Sequence, residues 1–388
     1  MKILVTTPLW GQFGGKEQYV LGCVEEFIRM GHHCAVAYGR TSSKPGQALL
    51  PLIPQYEIKT YSDIKSVNDA VGLQQLAAAL DAEAPDVIFM CDVRNLQLLT
   101  MLKSYGGLVP MSHDYSLICQ RGTSTTFFRN EICTDTCGLC RVRYSLRQHG
   151  AVLESYKGMD THLVASNYMK MRLIRHGFRP DQVRVVALYT DLQPSAGMAM
   201  DGTVPSVLFI GRIDSTKGVD YLMRALGKVS APFRCSVIGD GDYLPHCKRL
   251  SDKLGIADRV DFTGWLTRDK LTEYLSAASL VVVPSLWPEP FGLVGLEAMT
   301  CSKPVVAFDS GGVSDWLTNG LNGYLVPTKR THLLAERIDD LLLDRSKAAR
   351  MGAEGFRIVK DSFSRQRHFA RLLSAFDLAA NSKGSVTA

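Results

Sequence analysis

The stretch VVVPSLWPEPFGLVGLEAMT, from Val281 to Thr300, decides how this chain is read, because its only two charges are Glu289 and Glu297. The β-branched run VVV reads as a buried strand ending at Ser285, and Pro288 and Pro290 keep the next loop extended until a helix starts near Phe291. Glu289 then sits on the loop and Glu297 about two helical turns inside. Between them the N–H groups of Phe291, Gly292, Leu293 and Val294 form an anion cradle at a positive helix end. Glu289 also suits the dipole of a helix start. Glu297, between Leu296 and Ala298 in an almost wholly apolar helix, needs a partner, and a hydroxyl-rich ligand would supply one. The plain alternative is a solvated helix residue.

The same strand-then-helix rhythm runs through the chain. KILVTTP, HCAVAYG, DVIFMC, LVPMSHD, THLVAS and VRVVAL alternate with amphipathic segments in the first half; SVLFIGR, RCSVIGDG, RVDFTG, LVVVPS, PVVAFDSGG and GYLVP do so in the second. Alternating βα units with continuous apolar strands predict parallel sheets covered on both faces. The rhythm pauses at DLQPSAGMAMDGTVPS, Asp191 to Ser206, which reads as a linker. Two doubly wound α/β domains follow, residues 1–195 and 196–365, facing a central cleft where ligands meet the carboxyl ends of the strands. Residues 366–388 read as a C-terminal helix packing back toward the first domain, with a frayed tail NSKGSVTA from Asn381.

Bulk properties narrow the function class. The 388 residues are 46% hydrophobic and 21% charged, an ordinary globular balance. No apolar run approaches the ~20 residues that span a bilayer. The N-terminal MKILVTTPLW is broken by Thr6 and Thr7 and reads as a first strand rather than an export signal, so the expected place is the cytoplasm, with contact on the membrane's cytoplasmic face. Between Arg121 and Arg184, eleven Lys or Arg face five Asp or Glu, a surplus equal to the whole chain's net +6. A solvated basic face explains this, as does attraction to an anionic membrane surface; nucleic acid is disfavoured because no binding motif accompanies the charge.

Two further motifs border the expected cleft. Gly14 and Gly15 end PLWGQFGG just before a helix, a turn that suits a phosphate and equally an ordinary strand-to-helix junction. The spacing is not G-x-G-x-x-G, which counts against a dinucleotide-dependent oxidoreductase. In FIGRIDSTKG, Arg212 ends a strand and Lys217 lies one loop later, so a planar fork and a mobile point charge converge on one anion.

GRIDSTKG, VIGDGDYLPHCKRL, RVDFTG and PSLWPEPFGLVGLEAMTCSKPVVAFDSGG together resemble the donor domain of the retaining glycosyltransferases of family 4, whose fold is GT-B, two Rossmann-like domains; Glu289 and Glu297 match the family's Glu, seven residues, Glu. The resemblance implies that Arg212 and Lys217 hold a nucleotide diphosphate, Glu289 the donor sugar's hydroxyls and Glu297 the ribose. It places the backbone of Phe291 to Val294 at sugar and phosphates, Gly15 across the diphosphate, and His113 of LVPMSHD beside the reacting carbon, with Asp114 a neighbour or a loop cap. A UDP- or GDP-sugar co-substrate and a lipid-linked or oligosaccharide acceptor are implied, in bacterial surface polysaccharide, lipopolysaccharide or glycolipid assembly; a soluble small-molecule acceptor and a non-catalytic binding protein are the alternatives. No catalytic metal is implied.

One cluster lies outside these motifs. Cys119, Cys133, Cys137 and Cys140 follow C-x13-C-x3-C-x2-C in an insertion at about 115–145. Close Cys pairs in a reducing compartment predict a structural zinc knot, with free or redox-active thiols as the alternative. The insertion should overhang the acceptor side of the cleft.

Overall fold

A computed structural model describes residues 1–11, 14–41, 53–59, 61, 70–119, 133, 149–195 and 204–386. The first half of the chain folds into strands β1 (Lys2–Trp10), β2 (His33–Thr41), β3 (Gln55–Glu57), β4 (Val87–Cys91), β5 (Leu108–Ser112), β6 (His162–Val164) and β7 (Val183–Val185). The second forms β8 (Ser206–Ile210), β9 (Arg234–Ile238), β10 (Val260–Gly264), β11 (Leu280–Val283), β12 (Val305–Phe308) and β13 (Gly323–Val326). Their spatial orders are β3-β2-β1-β4-β5-β6-β7 and β10-β9-β8-β11-β12-β13, with every neighbouring pair parallel. Each sheet starts in its middle, steps outward for two strands, then returns to the other side. Chain direction therefore reverses between β1 and β4 and between β8 and β11, where open parallel sheets bind ligands.

The strand sequences explain this placement. VIFMC of β4 and LVVV of β11 are buried at every residue, as strands covered on both faces must be. Strand β3 was not legible as a strand: QYE is three residues long and half exposed, at the sheet edge, where burial imposes little pattern.

Helices α1 (Gly15–Arg29), α2 (Ala70–Glu83), α3 (Leu96–Tyr105), α4 (His149–Lys157) and α5 (Asn167–Arg175) join the first sheet's strands. The second sheet carries α6 (Val219–Leu226), α7 (Leu244–Lys253), α8 (Arg268–Ala277), α9 (Leu293–Thr300), α10 (Thr331–Leu343) and α11 (Arg345–Ser362). The last helix, α12 (Arg365–Val386), crosses back to the first sheet. There the Phe376 ring packs, tilted, 5.4 Å from Phe27 and 5.5 Å from Phe89, and Lys383 Nζ donates to Pro85 O at 2.7 Å. Each buried phenylalanine contributes about 1.5–3 kcal/mol. The helix continues to Val386, so the tail expected to fray from Asn381 is helical to that point.

Candidate active site

Three loops at the carboxyl edge of the second sheet are locked together. The turn after β8 reaches the loop after β11: Thr216 O accepts the N–H groups of Leu286 (2.8 Å) and Trp287 (3.2 Å). Gly218, at φ +68, packs so closely that a Cβ would lie 1.9 Å from Pro284 O. The loop after β12 closes the set, with Gly312 N–H donating to Glu289 O at 2.7 Å and Ser310 Oγ to Trp287 O at 2.6 Å.

This lock fixes the charged side chains. Lys217 Nζ meets Glu289 Oε1 at 2.7 Å, with side chains 18% and 8% exposed, and lies 4.9 Å from the centre of the Trp287 ring. Ser285 Oγ donates to the same carboxylate oxygen. Arg212 stays 64% exposed, 3.5 Å from Asp214 Oδ2, and so keeps most of its donors for something else. Asp214 spends its other capacity on the Thr216 N–H at 2.8 Å, which shapes the turn.

Helix α9 begins at Leu293 rather than Phe291, because Gly292 takes the left-handed conformation at φ +90. The cradle is therefore shorter than the sequence suggests, and Glu297 is the fifth helical residue, little more than one turn in, not two. Trp316 roofs this start, with Nε1 donating to Phe291 O at 2.6 Å and its ring against Gly295. Glu297 is only partly exposed, and its side chain has no hydrogen bond among the described residues. Desolvation pushes its carboxyl up to about 7, with Arg268 opposing.

On the first sheet, the turn after β1 leads through Gly14 into α1, and Gly15 has open space around it. Lys16 Nζ pairs with Asp92 Oδ2 at 2.5 Å; Asp92 directly follows β4, in the left-handed region at φ +51. His113 follows β5, half-buried, its Nε2 3.6 Å from Cys91 Sγ and its ring 5.2 Å from Tyr19. Desolvation lowers its pKa to about 4 against the pull of Asp92, so the ring is neutral at pH 7. Asp114 accepts the Ser116 N–H at 2.7 Å as a loop cap, and burial followed by the Asp92 charge raises its carboxyl.

The two edges touch. Asn167 N–H and Nδ2 donate to Asp315 Oδ2 at 2.7 and 3.2 Å, and a Cβ on Gly312 would lie 2.7 Å from Ser166 Cβ. Tyr115 and Trp287 meet edge-on at 6.4 Å, and the Tyr115 hydroxyl and the indole Nε1–H of Trp287 are buried without a hydrogen-bond partner among the described residues.

Sequence reading missed Lys16, Asp92, Ser285 and the Tyr115–Trp287 contact. Asp92 carried a signal, an acid just past a strand end; the others depend on loops meeting in space. Of the cysteines, Cys119 is buried behind β5, whereas Cys137 and Cys140 lie outside the described residues. Among the described residues no group of three His, Cys, Asp or Glu is placed to hold a metal ion. The basic surplus is partly spent: Lys157 pairs with Glu154 at 2.7 Å, Arg179 with Asp181 at 3.5 Å, and Arg172 is buried. Arg121, Arg129, Arg141, Arg143 and Arg147 lie outside the described residues. Among the described residues no helix is long and apolar enough to cross a membrane.

Residues 198–357 match the family model for glycosyl transferases group 1. Alpha-D-kanosaminyltransferase of Streptomyces kanamyceticus is 37% identical over 150 residues, 38% of this chain and 39% of that protein. The chain thus matches about two fifths of that curated relative's length. Among solved structures, sucrose-phosphate synthase of Thermosynechococcus elongatus superposes with TM-score 0.75 at 20% identity, over 97% of this chain and 99% of that one. HepE of Anabaena, in complex with UDP and glucose, gives 0.73 at 20% identity over 97% and 99%. At such identities these two show the fold, two Rossmann-like domains of the GT-B type. Residues 198–357, about two fifths of the chain, are thus similar to the group 1 glycosyl transferases.

Proposed function

We propose that the chain is a retaining glycosyltransferase that moves a hexose from a nucleotide diphosphate sugar to a hydroxyl acceptor. One observation carries the reading: the Lys217–Glu289 pair, the amide end of α9 and the unpartnered Glu297 follow one another along one cleft edge. They match the chemistry of a sugar, a diphosphate and a ribose in that order. A UDP complex of HepE supports a nucleotide donor for a protein of this fold.

In this reading Arg212 and Lys217 bind the diphosphate, with Gly14 and Gly15 facing it from the first domain and the backbone of Phe291, Gly292, Leu293 and Val294 beside it. Glu289 accepts hydrogen bonds from sugar hydroxyls and Glu297 from the ribose. The bond from the anomeric carbon to the β-phosphate oxygen breaks with its electron pair going to that oxygen. The acceptor oxygen bonds to the same face of the carbon, and its proton passes to the departing phosphate. Cations and amides stabilise the charge that develops there. Neutral His113 hydrogen bonds the sugar near the reacting carbon, and closure of the two domains excludes water.

The acceptor is a lipid-linked or oligosaccharide hydroxyl in surface polysaccharide or glycolipid assembly, supported by the basic segment before Arg184, which suits an anionic membrane surface. Zinc held by Cys119, Cys133, Cys137 and Cys140 would shape that acceptor side, checked by the metal content of the purified protein and of Cys137→Ser. The test of the whole reading is a panel of UDP- and GDP-sugars. One donor should raise the melting temperature and be consumed, with the anomeric configuration kept in the product's NMR spectrum. If no donor raised it, the transferase reading would fail.

A further inference from the structure

Tyr19, in the second turn of α1, presents its ring to His113 at 5.2 Å and 61°, while its hydroxyl lies 3.0 Å from His368 Nε2. His368 belongs to the first turn of α12, and its Nδ1 lies 2.8 Å from Ala187 O. A carbonyl oxygen can only accept, so His368 carries its proton on Nδ1. Nε2 is then bare and accepts the Tyr19 O–H at 3.0 Å, in preference to the weaker acceptor Met111 Sδ, which lies 3.3 Å from the same hydroxyl. The pair is directional: two buried aromatic residues, 7% and 2% exposed, are joined by a hydrogen bond in which a backbone carbonyl makes Nε2 the acceptor.

The location gives that bond its meaning. Ala187 lies just past β7, where the chain leaves the first sheet, and α12 begins where it returns. Arg365, one turn before His368, binds Glu26 Oε2 of α1 at 2.8 Å and Asp191 Oδ1 of the departing segment at 3.1 Å. His368 therefore sits at the double crossing between the domains, its ring tilted against Tyr189 at 4.8 Å. On its other side, His113 is confined between Tyr19 and Cys91, whose Sγ is 3.6 Å from Nε2. Phenylalanine at both positions together would fill the space and leave only the Ala187 carbonyl to satisfy, so packing alone does not call for this pair.

We propose that Tyr19 and His368 are positioning residues that hold the His113 ring from the domain crossing, so that the relative placement of the two domains is felt at the histidine. The proposal rests on the reading of His113 as the group beside the donor sugar. Bending at the crossing displaces Ala187 and the start of α12, and the Tyr19 hydroxyl passes that displacement to the ring it carries.

The test uses the full chain with whichever of UDP-glucose, UDP-galactose, UDP-N-acetylglucosamine or GDP-mannose it consumes. Tyr19→Phe, which keeps the ring and removes the hydroxyl, should lower kcat about tenfold while donor KM and nucleoside diphosphate affinity stay within twofold. His368→Phe should do the same. In a double-mutant cycle, Tyr19→Phe should add nothing to His113→Ala. Independently of any donor, 15N spectra of the histidine side chains should show the His113 ring nitrogens shifted in Tyr19→Phe. Additive losses in the cycle, or an unshifted His113 signal, would overturn the relay. Wild-type turnover in His113→Ala would instead sink the reading of His113, and the relay's purpose with it.

Discussion

Lys217 Nζ and Glu289 Oε1 lie 2.7 Å apart although 72 positions separate them in the chain. The contact exists because the turn after β8 and the loop after β11 share backbone hydrogen bonds, and both charges are mostly shielded from water. Lys217→Ala should cost about 1–3 kcal/mol in urea denaturation, since it strands a carboxylate that, among the described residues, Ser285 alone still serves. Adding Glu289→Gln should recover part of that loss, because it removes the stranded charge. Glu289→Gln alone should chiefly lower kcat and blur discrimination between donor sugars, with nucleotide affinity kept; an equal loss in both would contradict its place at the sugar.

Glu297 gives a pH signature. Its carboxyl is raised to about 7 in the fold, above the ordinary 4.5, so the folded state holds a proton that the unfolded chain has released. That contribution is fully present below about 4.5 and is lost as pH rises through about 7. Glu297→Gln should therefore be more stable than the wild type at pH 8, by about 1–2 kcal/mol, and the gap should close toward pH 5. Ribose hydroxyls donate to the ionised form, so nucleoside diphosphate affinity should rise between pH 6 and 8 in the wild type and stay flat in Glu297→Gln. A flat wild-type curve in calorimetric titration would remove Glu297 from the ribose.

The residues proposed for this site stand out in the sequence for a physical reason. Glu289 and Glu297 lie in one continuous stretch whose apolar context makes an isolated carboxylate conspicuous, and Arg212 with Lys217 lies in another. The alternation of buried strands with helices likewise announces parallel sheets, because β4 and β11 carry no polar face to confuse the pattern. What sequence could not show is what depends on meeting in space. Lys16 and Asp92 are 76 positions apart and become partners only when β1 and β4 pair. The start of α9 was misplaced by two residues because only the backbone reveals that Gly292 is left-handed. Strand β3 went unread because three half-exposed residues carry no period.

Gly295 marks a close approach of helix and ring under the cleft. A Cβ there would lie 2.0 Å from Cη2 of Trp316, a rigid ring already tied to Phe291 O. Gly295→Ala should lower stability by about 1–3 kcal/mol through overpacking, although alanine favours the helix. It should also weaken nucleotide binding, because Trp316 roofs the amide end of α9. Unchanged denaturation midpoints would show that the ring yields.

The Asn167–Asp315 contact makes a graded prediction about closure. Asp315 Oδ2 accepts both the backbone and the side-chain N–H of Asn167, so Asp315→Ala deletes two bonds and Asn167→Ala only one. The first should enlarge the radius of gyration in X-ray scattering and raise donor hydrolysis relative to transfer a few-fold. The second should do so weakly. Equal effects, or none on hydrolysis, would mean that this contact plays no part in keeping water out.

The returning helix α12 has a consequence for how the molecule is made. Phe369, Leu372, Ala375 and Phe376 are buried with Phe27 and Phe89 of the first sheet's core, so residues near the start of the chain wait for residues far along it. At ribosomal rates of about 5–20 residues per second, roughly ten to thirty seconds separate the emergence of β7 from that of α12. For that interval a row of aromatic side chains lacks its cover on the nascent chain. Severing the chain at the linker would not yield two self-sufficient halves: the first would be left permanently in the condition it passes through during its own synthesis.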